Sequence, residues 1–471
     1  MFSHVRLDVL ATWIHAKTDS KVPRTAVTDI ISDSRYVRPG TVFVALKGEN
    51  FDGHDYLEEA AKMGAVAAIV DRKPKGNTGT MVLLEVAKPL TAMADIAQQL
   101  RKLFDGPVIA ITGSAGKSST KNMLASLLGP HTMSSPKSFN NLLGVSKTLF
   151  LLEDGTRKAV LEVGMNAEGE IAEICKYARP DLALITNIGT AHIGRLGGQE
   201  GIYRAKKELF DFVAQNASAK RGVAINLDDP LIVRAAKEAL PADINRITFS
   251  ANGAKADVQI LKKSLHPQTG ALQVDLAFGG KTESHEIPVF GLHQAENLAA
   301  AVAGAMLMGQ TTDSIRKLLP SIKSAEHRGE VFQTKRGAFV LDESYNSNPS
   351  ALAASLQSTF ELNPIQRRVL VLGEMRELDD FSDSLHEKAA DTLIELAQRK
   401  KIPFVLVGVG AKFAPFTAKV RKALPMVAVT DVATASDAIK VLEQVLKTGD
   451  IVLVKGSRGI ALDHVVKWLT G

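Results

Sequence analysis

Val108–Ser119 reads V-I-A-I-T-G-S-A-G-K-S-S. The apolar run Val108-Ile109-Ala110-Ile111 predicts a buried strand, and Lys117 to Leu128 predicts the helix that follows. Between them, Gly113 and Gly116 let the backbone N–H groups of Ser114 and Ala115 approach phosphate oxygens closely. The helix N-terminus adds a dipole that favours the same anion. Lys117 is suited to neutralising the outer phosphates, and the hydroxyls of Ser118 and Ser119 open the helix, with Ser118 suited to Mg²⁺. The spacing is tighter than G-x-x-x-x-G-K, because Ile111 stands where the first glycine would fall. Strand, glycines, lysine, hydroxyl and helix in this order predict a bound nucleoside triphosphate. They leave kinase, ATPase, GTPase and ligase equally open.

Outward from the loop, strands and helices alternate. Ala159–Val163, Ala183–Asn187 and Gly222–Asn226 are further apolar strands, which argues for a parallel sheet covered by helices. Turns at Gln268-Thr269-Gly270 and Gly279-Gly280 predict an antiparallel appendage, and Ala295–Met308 an alanine-rich helix. Upstream, Leu90, Met93, Ala97, Leu100 and Phe104 recur at helical spacing behind Pro89 and bridge to a small mixed unit. Downstream, strands at 339–341, 369–372, 404–407 and 451–454 predict a second doubly wound block. The expectation is α/β with three domains: residues 1–86, a small mixed α/β domain; 87–327, a central phosphate-loop domain on a parallel sheet; and 328–471, a Rossmann-like domain. A chain of 471 residues is long enough for that division.

Composition narrows the class. Apolar residues at 45% and charged residues at 23% fit a globular protein. The single cysteine, Cys175, excludes an internal disulfide and a Cys-rich zinc site, and its helical apolar setting predicts a buried thiol. The N-terminal segment lacks a signal-peptide core and no stretch reaches the length of a membrane span, so a cytoplasmic address without membrane insertion is expected. A net charge of +6 is compatible with nucleic acid or with anionic small substrates. With aromatics at 5% and no basic stripe interleaved with them, nucleic acid is not the expected partner. The cluster Arg399-Lys400-Lys401 reads as a helix end favoured by the dipole.

The short loop T-G-S-A-G-K-S-S resembles that of the Mur ligases and the folylpolyglutamate synthases. Further segments, in the same order, resemble the Mur ligase family over nearly the whole chain: Asn140-Asn141-Leu142-Leu143-Gly144, Leu161-Glu162-Val163-Gly164, Thr186-Asn187-Ile188-Gly189-Thr190-Ala191-His192, Ala205-Lys206-Lys207-Glu208-Leu209-Phe210 and Gly291-Leu292-His293-Gln294-Ala295-Glu296-Asn297. Gln294 departs from the usual asparagine. Leu341-Asp342-Glu343-Ser344-Tyr345-Asn346-Ser347-Asn348-Pro349 is similar to the branch that adds D-alanyl-D-alanine. Earlier-acting members commonly carry histidine where Asn346 stands. Val371-Leu372-Gly373-Glu374-Met375-Arg376 and Lys455-Gly456-Ser457-Arg458 fit that branch, with Glu343 and Glu374 replacing aspartates. Ser32-Asp33-Ser34-Arg35 and Asp52-Gly53-His54 resemble the family's UDP-binding domain, which folylpolyglutamate synthases lack.

The resemblance implies an ATP-dependent ligase joining D-alanyl-D-alanine to UDP-N-acetylmuramoyl-tripeptide through an acyl phosphate. It leaves the third residue of the tripeptide open between diaminopimelate and lysine. It implies ATP contacts from Gly113 through Ser119, from Asn297 to adenine, from Asp342 to ribose and from Arg328 to the phosphates. Mg²⁺ is implied at Ser118, Glu162, His192 and a carbamylated Lys206. Lys117, Glu162, His192, Lys206 and Arg328 form the implied catalytic set, in a site expected to exclude water by domain closure. Ser34, Arg35, Asp52, His54, Asn140, Asn141, Asn346, Asn348 and Arg458 are the expected substrate contacts, and a monomer is expected. The alternatives are a family member adding a single amino acid and a regulatory phosphate-loop NTPase.

Overall fold

The computed structural model describes residues 5–74, 76–189, 196–216, 218–267, 269–335, 337–362, 367–376, 378 and 382–471. Three sheets organise an α/β chain. By packing, it divides into two compact units: Met1–Ile247 with Gly304–Gln310, and Thr248–Ala303 with Thr311–Gly471.

In the first unit, β1 (Asp29–Ile31), β2 (Thr41–Val44), β3 (Ala67–Val70) and β4 (Val82–Glu85) form a parallel sheet in that order. The central strands β2 and β3 are buried at every residue, which explains their apolar runs, whereas the edge strands β1 and β4 are only partly buried. Val42, Val44, Ala67, Ile69 and Leu84 join the large core shared with helix Pro89–Leu103. Phe43, Ala68 and Val70 point into a second, smaller cluster with Leu57 and Ala60. The bridging helix forms as its spacing predicts: Pro89 sits in its first turn, and Ala92, Met93, Ile96, Ala97 and Leu100 are buried on one face.

The second sheet of this unit is built on β5 (Val108–Thr112), β6 (Thr132–Ser134), β7 (Lys158–Glu162), β8 (Leu182–Ile185) and β9 (Gly222–Asn226), all parallel, in the order β9-β8-β5-β7-β6. Strand order reverses at β5, so the phosphate loop leaves the sheet at its switch point. Crevices for ligands open at the carboxyl ends of strands there. Ile109, Ala110, Val160, Leu161 and Leu184 have no solvent exposure. Burial of each larger side chain among them stabilises by roughly 1.5–3 kcal/mol.

The chain leaves this unit along β10 (Asn245–Ser250). In the second unit, the end of β10 pairs with β11 (Val258–Leu265). Antiparallel β12 (Ala271–Phe278) and β13 (Lys281–Phe290) follow, which is the expected appendage. The third sheet runs β14-β15-β19-β16-β17-β18: Glu330–Gln333, Phe339–Glu343, Ile451–Lys455, Arg368–Gly373, Phe404–Val409 and Ala428–Val432. All of its pairs are parallel except β14 with β15. Register sets Glu343 opposite Lys455, and Lys455 opposite Leu372, so the Asp-Glu-Ser-Tyr-Asn, Lys-Gly-Ser-Arg and Leu-Gly-Glu segments leave the sheet at one carboxyl edge. The short edge strands β1, β6, β14 and β18 were not among the sequence expectations. They are too brief, and several too polar, to carry a period. Among the described residues, no helix is long and apolar enough to cross a membrane.

Candidate active site

The phosphate loop is strapped to the end of β8. Asn187 receives the N–H of Ala115 on Oδ1 (2.9 Å) and donates Nδ2 to the Ala115 carbonyl (3.2 Å). Thr186 Oγ1 donates to that carbonyl at 2.6 Å, and the Gly189 N–H donates to Ser114 Oγ at 2.9 Å. A Cβ on Gly113 would lie 1.8 Å from Thr186 Oγ1, so only glycine permits this approach. Gly116 is the left-handed N-cap (φ 81°) of helix Lys117–Leu128. Lys117 Nζ donates to the Gly113 carbonyl at 2.7 Å, folded over its own loop.

Beside the loop, at the end of β7, Glu162 is 1% exposed. Ser118 Oγ donates to Glu162 Oε2 at 2.7 Å, and Asn140 Nδ2 donates to Oε1 at 3.1 Å. Ser118 and Glu162 thus meet at one edge of the sheet. His192 lies outside the described residues. A hydroxyl and a carboxylate are hard oxygen donors of the kind Mg²⁺ takes, so the residues fit that ion. Lys206, on helix Gln199–Gln215, is 3% exposed. Burial, and secondarily the Lys117 charge, hold its amine well below the ordinary lysine range.

Several other expected residues have local partners. Ser34 is buried, whereas Arg35 is exposed and paired with Asp33 at 2.6 Å. Asp52 accepts from the His54 N–H and ring (2.8 Å to Nδ1), and Arg72 joins it; together these hold its carboxyl well below the usual range. Asn141 caps helix Leu142–Leu149, its side chain accepting from Gly144 N–H. Glu208, inside the Ala-Lys-Lys-Glu-Leu-Phe segment, accepts from the Gly169 and Ala172 N–H groups, a structural anchor for helix Glu170–Ala178.

The second unit holds Asn297, Arg328, Asp342, Asn346, Asn348 and Arg458. Asp342, fully buried, meets His327 Nδ1 at 2.7 Å and accepts from Ser344 N–H. Arg328 lies over the Tyr345 ring at 3.9 Å and Arg458 at 5.6 Å, so one tyrosine serves both cations. Asn297 donates to Gln294 Oε1 at 2.8 Å, so the glutamine at the departing position accepts this bond. Asn348 caps helix Pro349–Glu361, and the exposed Asn346 receives Ser347 N–H. Glu343 pairs with the buried Lys455 at 3.1 Å. Sequence reasoning gave no role to Thr186, Asn187, Tyr345 or Lys455. The first two stand at a strand end facing the loop, a position that can be read from a strand pattern. The Tyr345 and Lys455 contacts arise from strands distant in sequence.

Fold and loop together define a phosphate-loop α/β enzyme acting on a nucleoside triphosphate. Family models match along the chain: the Mur ligase family catalytic domain at residues 27–101, the Mur ligase middle domain at 111–305 and the Mur ligase glutamate ligase domain at 327–458. The UDP-N-acetylmuramoyl-tripeptide--D-alanyl-D-alanine ligase of Bacillus subtilis is 30% identical, covering 94% of this chain and 93% of its own. That of Escherichia coli is 31% identical, covering 93% of each. A crystal structure of MurF from Acinetobacter baumannii superposes with a TM-score of 0.84 at 29% identity over 98% of each chain. MurF ligase from Thermotoga maritima in complex with ADP gives 0.78 at 26% identity, over 94% of this chain and 96% of that one. The chain belongs to the Mur ligase family.

Proposed function

We propose that this chain is an ATP-dependent ligase that joins D-alanyl-D-alanine to UDP-N-acetylmuramoyl-tripeptide, forming the pentapeptide precursor of peptidoglycan. The observation that carries the reading is the phosphate loop with Ser118 and Asn140 on the buried Glu162. Its support is the near-full-length similarity to ligases of that name. The terminal carboxylate of the tripeptide attacks the γ-phosphorus of ATP, and the bond to the β,γ-bridging oxygen breaks. An acyl phosphate and ADP result. The dipeptide amine, once deprotonated, attacks the acyl carbon and inorganic phosphate leaves as the amide forms.

Lys117 supplies positive charge to the outer phosphates, where charge moves during transfer. Ser118 and Glu162, with His192 and a carbamylated Lys206, would hold Mg²⁺, which would supply charge neutralisation for the phosphate oxygens. Burial lowers the cost of removing the Lys206 ammonium proton, and the neutral amine is the form that adds carbon dioxide, with loss of a proton, to give a carbamate. Arg328 serves the phosphates, Asp342 the ribose and Asn297 the adenine, while Ser34, Arg35, Asp52, His54 and Asn140 serve the UDP-sugar peptide. Asn141, Asn346, Asn348 and Arg458 complete the substrate contacts. Domain boundaries near residues 86 and 327, a monomer, a cytoplasmic setting and no nucleic-acid partner belong to the same reading.

The test is phosphate release from ATP and Mg²⁺ with UDP-N-acetylmuramoyl-tripeptide, with and without D-alanyl-D-alanine. Release that needs both, with a product heavier by the dipeptide residue, is expected. Release with a single amino acid in place of the dipeptide would reassign the acceptor. Release indifferent to both substrates would leave a regulatory NTPase. For Lys206, ¹³C-bicarbonate labelling is expected to give a carbamate NMR signal that Lys206→Arg abolishes.

A further inference from the structure

We infer that Lys121 is a positioning residue for the cation site: a built-in cation that fixes Glu162 and its loop before nucleotide arrives. The inference deepens the nucleotide-site reading above and rests on it. Lys121 lies one turn beyond Lys117 on helix Lys117–Leu128 and is 2% exposed. Its Nζ donates to the carbonyls of Ser135 (2.6 Å) and Lys137 (2.5 Å) and stands 3.9 Å from Glu162 Oε2.

Those two carbonyls belong to the segment that leads from β6 to Asn140. The same segment grips Glu162 twice more. Ser135 Oγ receives the Glu162 N–H at 3.0 Å, and Asn140 Nδ2 reaches Oε1 at 3.1 Å. Lys137 itself sits at φ 48°, a left-handed conformation that a non-glycine residue keeps only where its surroundings hold it. Lys121 therefore ties three pieces together: the phosphate-loop helix, the segment bearing Asn140, and the carboxylate that Ser118 also touches. A carboxylate buried to 1% exposure requires compensating charge and hydrogen bonds. Lys121 provides that charge from beneath, leaving Lys117 for the phosphates. Groups that orient a metal ligand typically change metal affinity or activity by roughly 10–100-fold when removed.

The experiment compares the full-length wild-type chain with Lys121→Met and Lys121→Gln, the glutamine keeping a donor while losing the charge. Two readouts are taken. One is the Mg²⁺ concentration for half-maximal ligation, measured separately from kcat and from KM for the UDP substrate. The other, independent of turnover, is the thermal shift produced by ADP with and without MgCl₂. Both variants are expected to raise the Mg²⁺ requirement by roughly 10-fold or more. They are also expected to shrink the Mg²⁺-dependent part of the ADP shift, with the shift from the UDP substrate retained. If Lys121→Met does not fold, Lys121→Gln carries the comparison. A lowered melting temperature with an unchanged Mg²⁺ requirement and an unchanged Mg²⁺–ADP shift would reduce Lys121 to a structural brace and overturn the inference. Absence of any Mg²⁺-dependent ADP shift in the wild type would instead overturn the nucleotide-site reading, and this role with it.

Discussion

Tyr345 shows how much one side chain can organise. Its ring carries Arg328 at 3.9 Å and Arg458 at 5.6 Å, and its backbone N–H is bonded to the His327 carbonyl. A cation over an aromatic face gains about 0.5–2 kcal/mol. Tyr345→Phe keeps the ring and should leave KM for ATP within about twofold, while Tyr345→Leu should raise it by about 3- to 30-fold. Steady-state kinetics on the two variants checks this; equal effects would assign the role to the hydroxyl. Cys175 is the opposite case, a reactive type made inert. Burial, and secondarily the Glu208 charge, push its thiol far above the ordinary range. Native protein should therefore resist a thiol reagent that modifies Cys175 at once in denaturant. The sign for stability follows. Above about pH 8.5 the unfolded thiol ionises while the folded one keeps its proton, so the folded state binds more protons and stability falls as pH rises. Cys175→Ser should remove that part of the alkaline slope in pH-dependent unfolding. The burial of Cys175 could be read from its helical apolar setting. The tyrosine between two arginines could not, because Arg458 is far from Tyr345 in sequence.

At the scale of elements, the phosphate loop depends on a strand it never adjoins in sequence. Thr186 and Asn187, beyond β8, hold both polar groups of Ala115, and Thr186 closes the space beside Gly113. Gly113→Ala places a methyl group 1.8 Å from Thr186 Oγ1 and should abolish nucleotide binding with little change in the UDP-substrate shift. Asn187→Ala frees the loop without a clash and should weaken ATP binding by about 10-fold, near the loss of one or two neutral hydrogen bonds. Calorimetric titration with ADP and Mg²⁺ separates the two cases. A larger loss in Asn187→Ala than in Gly113→Ala would reverse this ranking. The motif pattern located the glycines, yet it could not say that Gly113 is required by a threonine at the end of the neighbouring strand.

Across the whole molecule, the proposed function assigns the sheets separate work. The β1–β4 sheet has a cluster of its own around Phe43, Ala68 and Val70, while Lys117 opens the helix that follows β5 and Glu162 ends β7 of the other sheet. Lys117→Ala should therefore cut ligation by about 100-fold or more while leaving UDP-substrate affinity within about twofold. Equal losses in both, measured by turnover and by titration, would sink this division of labour. The sequence by itself determined the α/β class, the helix Lys117–Leu128 and the phosphate loop. These are local patterns: apolar periodicity and glycine placement. Only the tertiary structure decided that β5 lies at the switch point, that Lys121 reaches beneath Glu162, that Glu343 meets Lys455 and that Asn141 and Asn348 cap helices. Strand order and burial are set by packing among segments far apart in the chain, and the charge environment of a side chain follows from that packing rather than from its neighbours in sequence.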